Sequence, residues 1–261
     1  MPGKWHLACY YGSITNGVAN SRVPAVNDGQ LTITNQSYVL PQRGRVSWIA
    51  GFGVDLDRIR INTPKYRYVG LPSGLGVNKS LTVPSPLSIA DWSRYPLVVD
   101  PVDEISAEVT QSGAGAAVQI VAAGFTFNQV AIAEAPVFWI RGTAAISYAG
   151  GDAGTWKNGS ITLDSTLPQG RYELVGMDCQ GTNLIAARMI YPGSGYRPGT
   201  IGRNTLGQVR SPIFDPGSLG QWGDFTSINL PNLEILCSGA CSSQEVYLAI
   251  QRLGNDVGGI A

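Results

Sequence analysis

One pattern occurs twice in this chain, and the duplication restricts the possible folds more than any other feature. Asp28-Gly29-Gln30-Leu31-Thr32-Ile33 is followed by Leu40-Pro41-Gln42-Arg43-Gly44-Arg45-Val46, and Asn158-Gly159-Ser160-Ile161-Thr162-Leu163 is followed by Leu167-Pro168-Gln169-Gly170-Arg171-Tyr172. Each copy reads as a turn, a short alternating strand, a second turn and another strand. The echo continues in the same order: Pro64-x-Tyr66-Arg67 with Pro192-x-x-x-Tyr196-Arg197, Trp92 with Trp222, Pro101-x-x-Glu104-Ile105 with Pro231-x-x-Glu234-Ile235, and Ser112-Gly113 with Ser238-Gly239. The offset is 130 residues at Gly29/Gly159 and again at Pro101/Pro231. Matches kept in register over most of two halves predict one domain present twice, spanning 1–128 and 129–261.

The periodicity within each copy is that of strands. Leu31 and Ile33 alternate with threonines, and Arg58-Ile59-Arg60-Ile61 alternates arginine with isoleucine. Further strands are predicted over 4–11, 46–52, 66–69, 105–109 and 118–127, then over 137–140, 161–163, 172–177, 183–191, 225–228, 233–236 and 246–253. One helical turn is expected from Ser85 as N-cap and Pro86 at the first position through Trp92. Each half therefore holds about eight strands, interrupted by one long excursion, 71–100 in the first and 192–224 in the second. Eight short antiparallel strands bury their apolar faces and manage their edges as two packed sheets wound into a jelly roll. An immunoglobulin-type sandwich needs fewer strands and only about 100 residues, and a propeller requires a period of about 40–50 residues. The fold class expected is all-β: two tandem eight-stranded jelly rolls arising from internal duplication.

Catalytic readings are weak. The chain has one histidine, His6, which cannot supply a duplicated cupin-type metal site or an ordinary Ser-His-Asp triad, and it reads as a strand-end residue without a special role. Cys237-x-x-x-Cys241 has no second pair, Cys9 and Cys179 standing alone, so the cysteines read as small buried residues or as thiols near a hairpin. Asp55 and Asp57 fall in a turn, where aspartate is common, and Asp103-Glu104 has no visible partner across a cleft. Gly193-Ser194-Gly195-Tyr196-Arg197-Pro198-Gly199 lacks the Lys-Ser/Thr that a phosphate loop needs, and the Asn-x-Ser patterns at Asn35, Asn78 and Asn158 read as chance. Charged residues are 14% of the chain and the formal net charge is zero, which leaves no electrostatic footprint for nucleic acid. No secretory leader or membrane-length apolar run is read. The expectation is no catalytic, cofactor-binding or metal residue, hence no enzyme.

With its tandem jelly rolls, the turn Leu167-Pro168-Gln169-Gly170-Arg171-Tyr172 and its matching excursions, the chain resembles the double jelly-roll major capsid proteins of tailless icosahedral viruses, notably bacterial viruses with an internal membrane. The resemblance implies homotrimeric, pseudo-hexagonal capsomers and location in the virion after assembly in the host cytoplasm. The implied partners are other copies of the chain, a penton or minor capsid protein and an internal membrane, without sequence-specific nucleic-acid contact. The excursions need something to pack against, and Trp92, Tyr95, Trp222 and Phe225 are the aromatic residues expected at subunit contacts. A carbohydrate- or receptor-binding sandwich that uses Trp92 and Trp222 as a stacking platform is the alternative.

Overall fold

The computed structural model describes residues 4–15, 21–66, 89–111, 115–128, 131–203 and 212–254. Their regular structure is strand, apart from short 3-10 turns at Pro64–Tyr66, Gly150–Asp152 and Pro212–Phe214. The first half comprises β1 (Lys4–Ile14), β2 (Ser21–Val23), β3 (Thr32–Thr34), β4 (Ser37–Val39), β5 (Gly44–Gly53), β6 (Leu56–Asn62), β7 (Ile89–Asp91), β8 (Leu97–Val99), β9 (Glu104–Gln111) and β10 (Ala117–Asn128). The second comprises β11 (Val137–Ala144), β12 (Lys157–Gly159), β13 (Ile161–Leu163), β14 (Arg171–Gln180), β15 (Leu184–Ile190), β16 (Gly199–Ile201), β17 (Gly223–Thr226), β18 (Asn232–Cys237) and β19 (Gln244–Gly254).

These strands form four antiparallel sheets, and the sheet orders correspond. In the first half, one sheet runs β1-β10-β5 with β7 and β8 both on β5, and the other places β9 between β2 or β4 on one side and β6 on the other. In the second half the orders are β11-β19-β14-β17, with β13 added outside β11, and β12-β18-β15-β16. The first strand of each half pairs with the last, and the last with the strand after the Leu-Pro-Gln turn. These are jelly-roll sandwiches, and the chain is an all-β tandem of them.

Local chemistry explains where two of the echoed motifs land, while Arg67 and Ser112-Gly113 of the echo lie outside the described residues. Leu40-Pro41-Gln42 and Leu167-Pro168-Gln169 both precede the strand that pairs with the terminal one, with Leu40 and Leu167 buried as plugs. Pro101 and Pro231 both precede the central strand of the second sheet, β9 and β18, where a residue without an N–H is tolerated only before the ladder begins. The Asp28/Asn158 echo does not survive. Thr32–Thr34 pairs with β4, whereas Ile161–Leu163 pairs with β11 in the other type of sheet. Asp28 closes a turn by accepting the Gln30 and Leu31 N–H groups at 2.8 and 2.7 Å, while Asn158 sits inside β12 opposite Glu234. Asp-Gly and Asn-Gly are turn dipeptides in many contexts, and here the likeness is turn chemistry alone.

Two other expectations change. Residues 85–88 of the expected helical turn, and 67–69 of an expected strand, lie outside the described residues. Ile89–Asp91 is a strand, paired with Trp48–Ala50, because the β5 edge offers the backbone a ladder that an isolated helical turn lacks. The excursion 192–224 is not wholly irregular, since it contains β16 and the start of β17 and folds back onto its own chain.

The sheet β1-β10-β5 is apolar on both faces. Ala8, Tyr10, Val121, Ala123 and Phe125 belong to the core inside the first roll. Their neighbours Trp5, Leu7, Cys9, Ile120 and Ala122 point the other way, into a core shared with the second roll. A register shift where Phe125 faces Val46 and Gly124 faces Trp48 lets β5 place Val46 and Ile49 inward and Trp48, Ala50 and Phe52 outward. Burial on both faces is why 118–125 reads as a nearly continuous apolar run rather than an alternating one. Gly124 is required beside this shift, since a Cβ there would overlap the Trp48 indole.

Candidate functional site

The chemistry-bearing residues converge on the seam between the rolls. Two aromatic pairs mark its apolar part: Trp5 meets Trp222 edge-on at 4.8 Å, and Trp48 meets Phe214 edge-on at 5.3 Å. In each pair the first partner comes from the doubly covered sheet and the second from the 192–224 excursion.

The polar part is a buried charge cluster. Arg188, which β15 carries into the interior, is fully buried, as are Asp28 and His6. Its Nε donates to Glu234 Oε2 at 2.6 Å, one terminal nitrogen donates to the Leu7 carbonyl at 2.9 Å and the other to the Asp28 carbonyl at 3.1 Å. The guanidinium lies over the Trp156 ring at 3.9 Å. Arg197 donates to both oxygens of Glu234, at 3.0 and 2.7 Å, and to the Asp28 carbonyl at 3.0 Å. Two carboxylates face two guanidiniums, so the cluster is neutral when His6 is neutral. Arg188, Arg197 and Glu234 belong to the second roll and reach across to Leu7 and Asp28 of the first.

His6 completes the network. Its Nε2–H donates to Asp28 Oδ2 at 2.8 Å, and its Nδ1 accepts the Arg197 backbone N–H at 3.3 Å, a tautomer assigned from its partners. Burial holds His6 below its ordinary pKa, opposed by Asp28 and assisted by the two arginines. Burial would raise Asp28, but the His6 hydrogen bond, the Arg188 charge and the Leu31 N–H together hold it well below the usual carboxylate range. The expectation of a strand-end histidine without a role is therefore corrected: His6 joins the two rolls.

The four aromatic residues expected at subunit contacts separate. Trp222 is wholly buried against Trp5, and Phe225 is buried and stacks on Tyr172 at 5.8 Å, so both are spent inside the chain rather than offered to a neighbour. Trp92 is half-buried against the core of the first roll, and Tyr95 is 86% exposed in the turn after β7. The described part of the second excursion finds its packing partner in the first roll. Of the expected two-tryptophan sugar platform, Trp222 has no face left.

The remaining candidates are also placed. Asp55 takes a left-handed turn conformation at φ 53°, and Glu104 accepts the Asn35 side-chain N–H at 3.2 Å. Gly193 forms a turn at φ 74°, and Arg197 of the glycine-rich stretch points into the seam. Among the described residues no group of three or more His, Cys, Asp or Glu side chains is placed to hold a metal. Sequence reasoning missed Asp28, Arg188 and Glu234 as a unit. The only available signal was an arginine inside the apolar run 184–190, a charge that requires buried partners wherever that strand is covered.

No protein-family model matches the sequence. No curated protein matches it either. Among solved structures, the chain aligns with the crystal structure of the major capsid protein P2 from Bacteriophage PM2, at 11% identity over 98% of this chain and 100% of that one, with a TM-score of 0.23. At so low a score the fold rests on the strand orders described above.

Proposed function

We propose that this chain is a structural shell subunit, a major capsid protein of a tailless icosahedral virus, that assembles as a homotrimer. The observation that carries the reading is the pair of jelly rolls with corresponding strand order, joined by a seam of largely buried aromatic and charged groups. Such a chain is a rigid block with two similar ends, with 1–128 and 129–261 as its domains. Three blocks around a threefold axis present six similar edges, so hexagonal tiling follows from closed cyclic symmetry. A charged content of 14% with zero net charge suits flanks covered by neighbours, because charge is depleted at interface cores.

In this reading Tyr95, with Trp92 beneath it, meets an adjacent copy. Neighbouring capsomers, a penton or minor capsid protein and an underlying membrane are the further partners, and the virion is the location. The role is mechanical, not enzymatic. Light scattering on the purified chain, combined with negative-stain imaging, tests the proposal. Particles of three times the 27.7 kDa chain, or shells, are expected. A monomer at every concentration that binds glycans would overturn it.

A further inference from the structure

The seam has an uncovered counterpart on the second roll. The sheets β1-β10-β5 and β11-β19-β14 carry a bulge at the same place. Ser47 is passed over between the Val46–Phe125 and Trp48–Gly124 pairs, and Val175 between the Leu174–Ile250 and Gly176–Ala249 pairs. Aligning the bulges makes Phe125 equivalent to Ile250 and Gly124 to Ala249. One strand further out, Trp5, His6 and Leu7 of β1 are then equivalent to Val137, Phe138 and Trp139 of β11.

The two triplets differ in their cover. Trp5, His6 and Leu7 are at most 1% exposed, because the second roll closes over them, whereas Val137, Phe138 and Trp139 are 40%, 40% and 41% exposed. Their strand edges differ in the same way. The Leu7 N–H donates across the seam to the Arg197 carbonyl at 3.0 Å. Among the described strands, only β19 lies beside residues 137–140, since β13 reaches no further than Gly142–Ala144. Three consecutive large apolar side chains on an open strand edge make a contact surface.

The same equivalence names the complement. Trp222, which covers Trp5, donates its backbone N–H to the Leu174 carbonyl beside the bulge of β14, at 2.8 Å. Trp92 donates its own to the Ser47 carbonyl at the bulge of β5, at 2.7 Å. Trp92 therefore holds in the first roll the place that Trp222 holds in the second. It is half-buried, and the exposed Tyr95 follows it three residues on.

We infer that residues 137–139 of one copy receive the Trp92–Tyr95 corner of a second copy, so that the contact between chains repeats the seam within the chain. The inference rests on the homotrimer reading and supplies the other side of the Tyr95 contact. Such a contact is heterologous: each copy offers one strip and one corner, and addition continues until a ring closes. The place of His6 is taken by Phe138, which meets the Tyr172 ring edge-on at 6.4 Å, so the contact between copies has an apolar group where the seam has its histidine.

The test links full chains. Tyr95→Cys and Val137→Cys, as two single variants, are co-expressed and oxidised; the four native cysteines are buried. A disulfide-linked pair at twice 27.7 kDa is expected from the mixture and from neither variant alone. Ile228→Cys, at a residue 88% exposed outside the strip, replaces Val137→Cys as the control and should stay unlinked. Trp139→Glu should lower the native mass by light scattering from three chains toward one. A trimer that fails to link 95 to 137, links 95 to 228 equally well, or survives Trp139→Glu overturns the strip and leaves the trimer standing. A wild-type chain that is a monomer at every concentration overturns both. The linking result does not depend on Trp139→Glu folding.

Discussion

Arg188→Met is the most informative perturbation of the seam. Methionine keeps an unbranched stem of similar reach but removes donors that reach Glu234 at 2.6 Å, the Leu7 carbonyl at 2.9 Å and the Asp28 carbonyl at 3.1 Å. It also removes the cation nearest Asp28 Oδ2, at 3.5 Å. Two buried carboxylates are then left to Arg197 and a neutral His6. Removing one partner of a buried, hydrogen-bonded ion pair costs about 3–5 kcal/mol, because the surviving charge stays out of water. At about 2–4 °C per kcal/mol for a chain of this size, the melting temperature should fall by roughly 6–20 °C. Urea unfolding followed by tryptophan fluorescence reads the change. Arg43→Ala serves as a control, since the Arg43–Asp100 pair is 69% and 46% exposed and is worth no more than about 1 kcal/mol. A double-mutant cycle with Glu234→Gln should return a coupling of about 1 kcal/mol or more. If Arg188→Met costs less than about 1 kcal/mol, the cluster does not lock the rolls and the reasoning fails.

Other expectations follow from the same geometry. The folded-state pKa of His6 lies below 6.5, so the unfolded chain protonates first; its stability contribution is complete above 6.5 and is lost as pH falls below it. The urea midpoint should therefore drop between about pH 7.5 and 5.5, with a shallower drop in His6→Gln, and an equal drop in both would remove His6 from the account. Trp222→Ala should cost about 3–5 kcal/mol by opening a cavity under Trp5, and a cost near zero by urea unfolding would mean that the seam is loosely packed. Tyr95→Ala should shift the native mass measured by light scattering from trimer toward monomer while leaving the unfolding free energy of the subunit within about 0.5 kcal/mol. An unchanged mass would exclude Tyr95 from the contact.

The fold was legible where a residue's effect is local. Proline before a ladder, the Leu-Pro-Gln turns and the alternation of Arg58-Ile59-Arg60-Ile61 each announce a strand boundary or face within a few residues. The seam was not legible, because its members are brought together only by tertiary structure: Asp28 lies 22 residues from His6 and 160 from Arg188. Trp222 illustrates the same limit. An aromatic residue in a long excursion asks for a partner, but nothing local says whether that partner belongs to another copy or to the same chain. Asp28-Gly29 and Asn158-Gly159 show the converse hazard, in which shared turn chemistry resembles shared descent.

The sheet covered on both faces has a consequence for synthesis. Trp5, Trp48 and Phe52 are made early, yet the groups that cover them include Phe214 and Trp222. At about 5–20 residues per second, the roughly 100 residues after the first roll take roughly 5–20 s to translate. Throughout that interval the nascent first roll presents an apolar flank to the cell. A stop codon in the second half would therefore yield a chain with an uncovered adhesive face rather than a smaller working part.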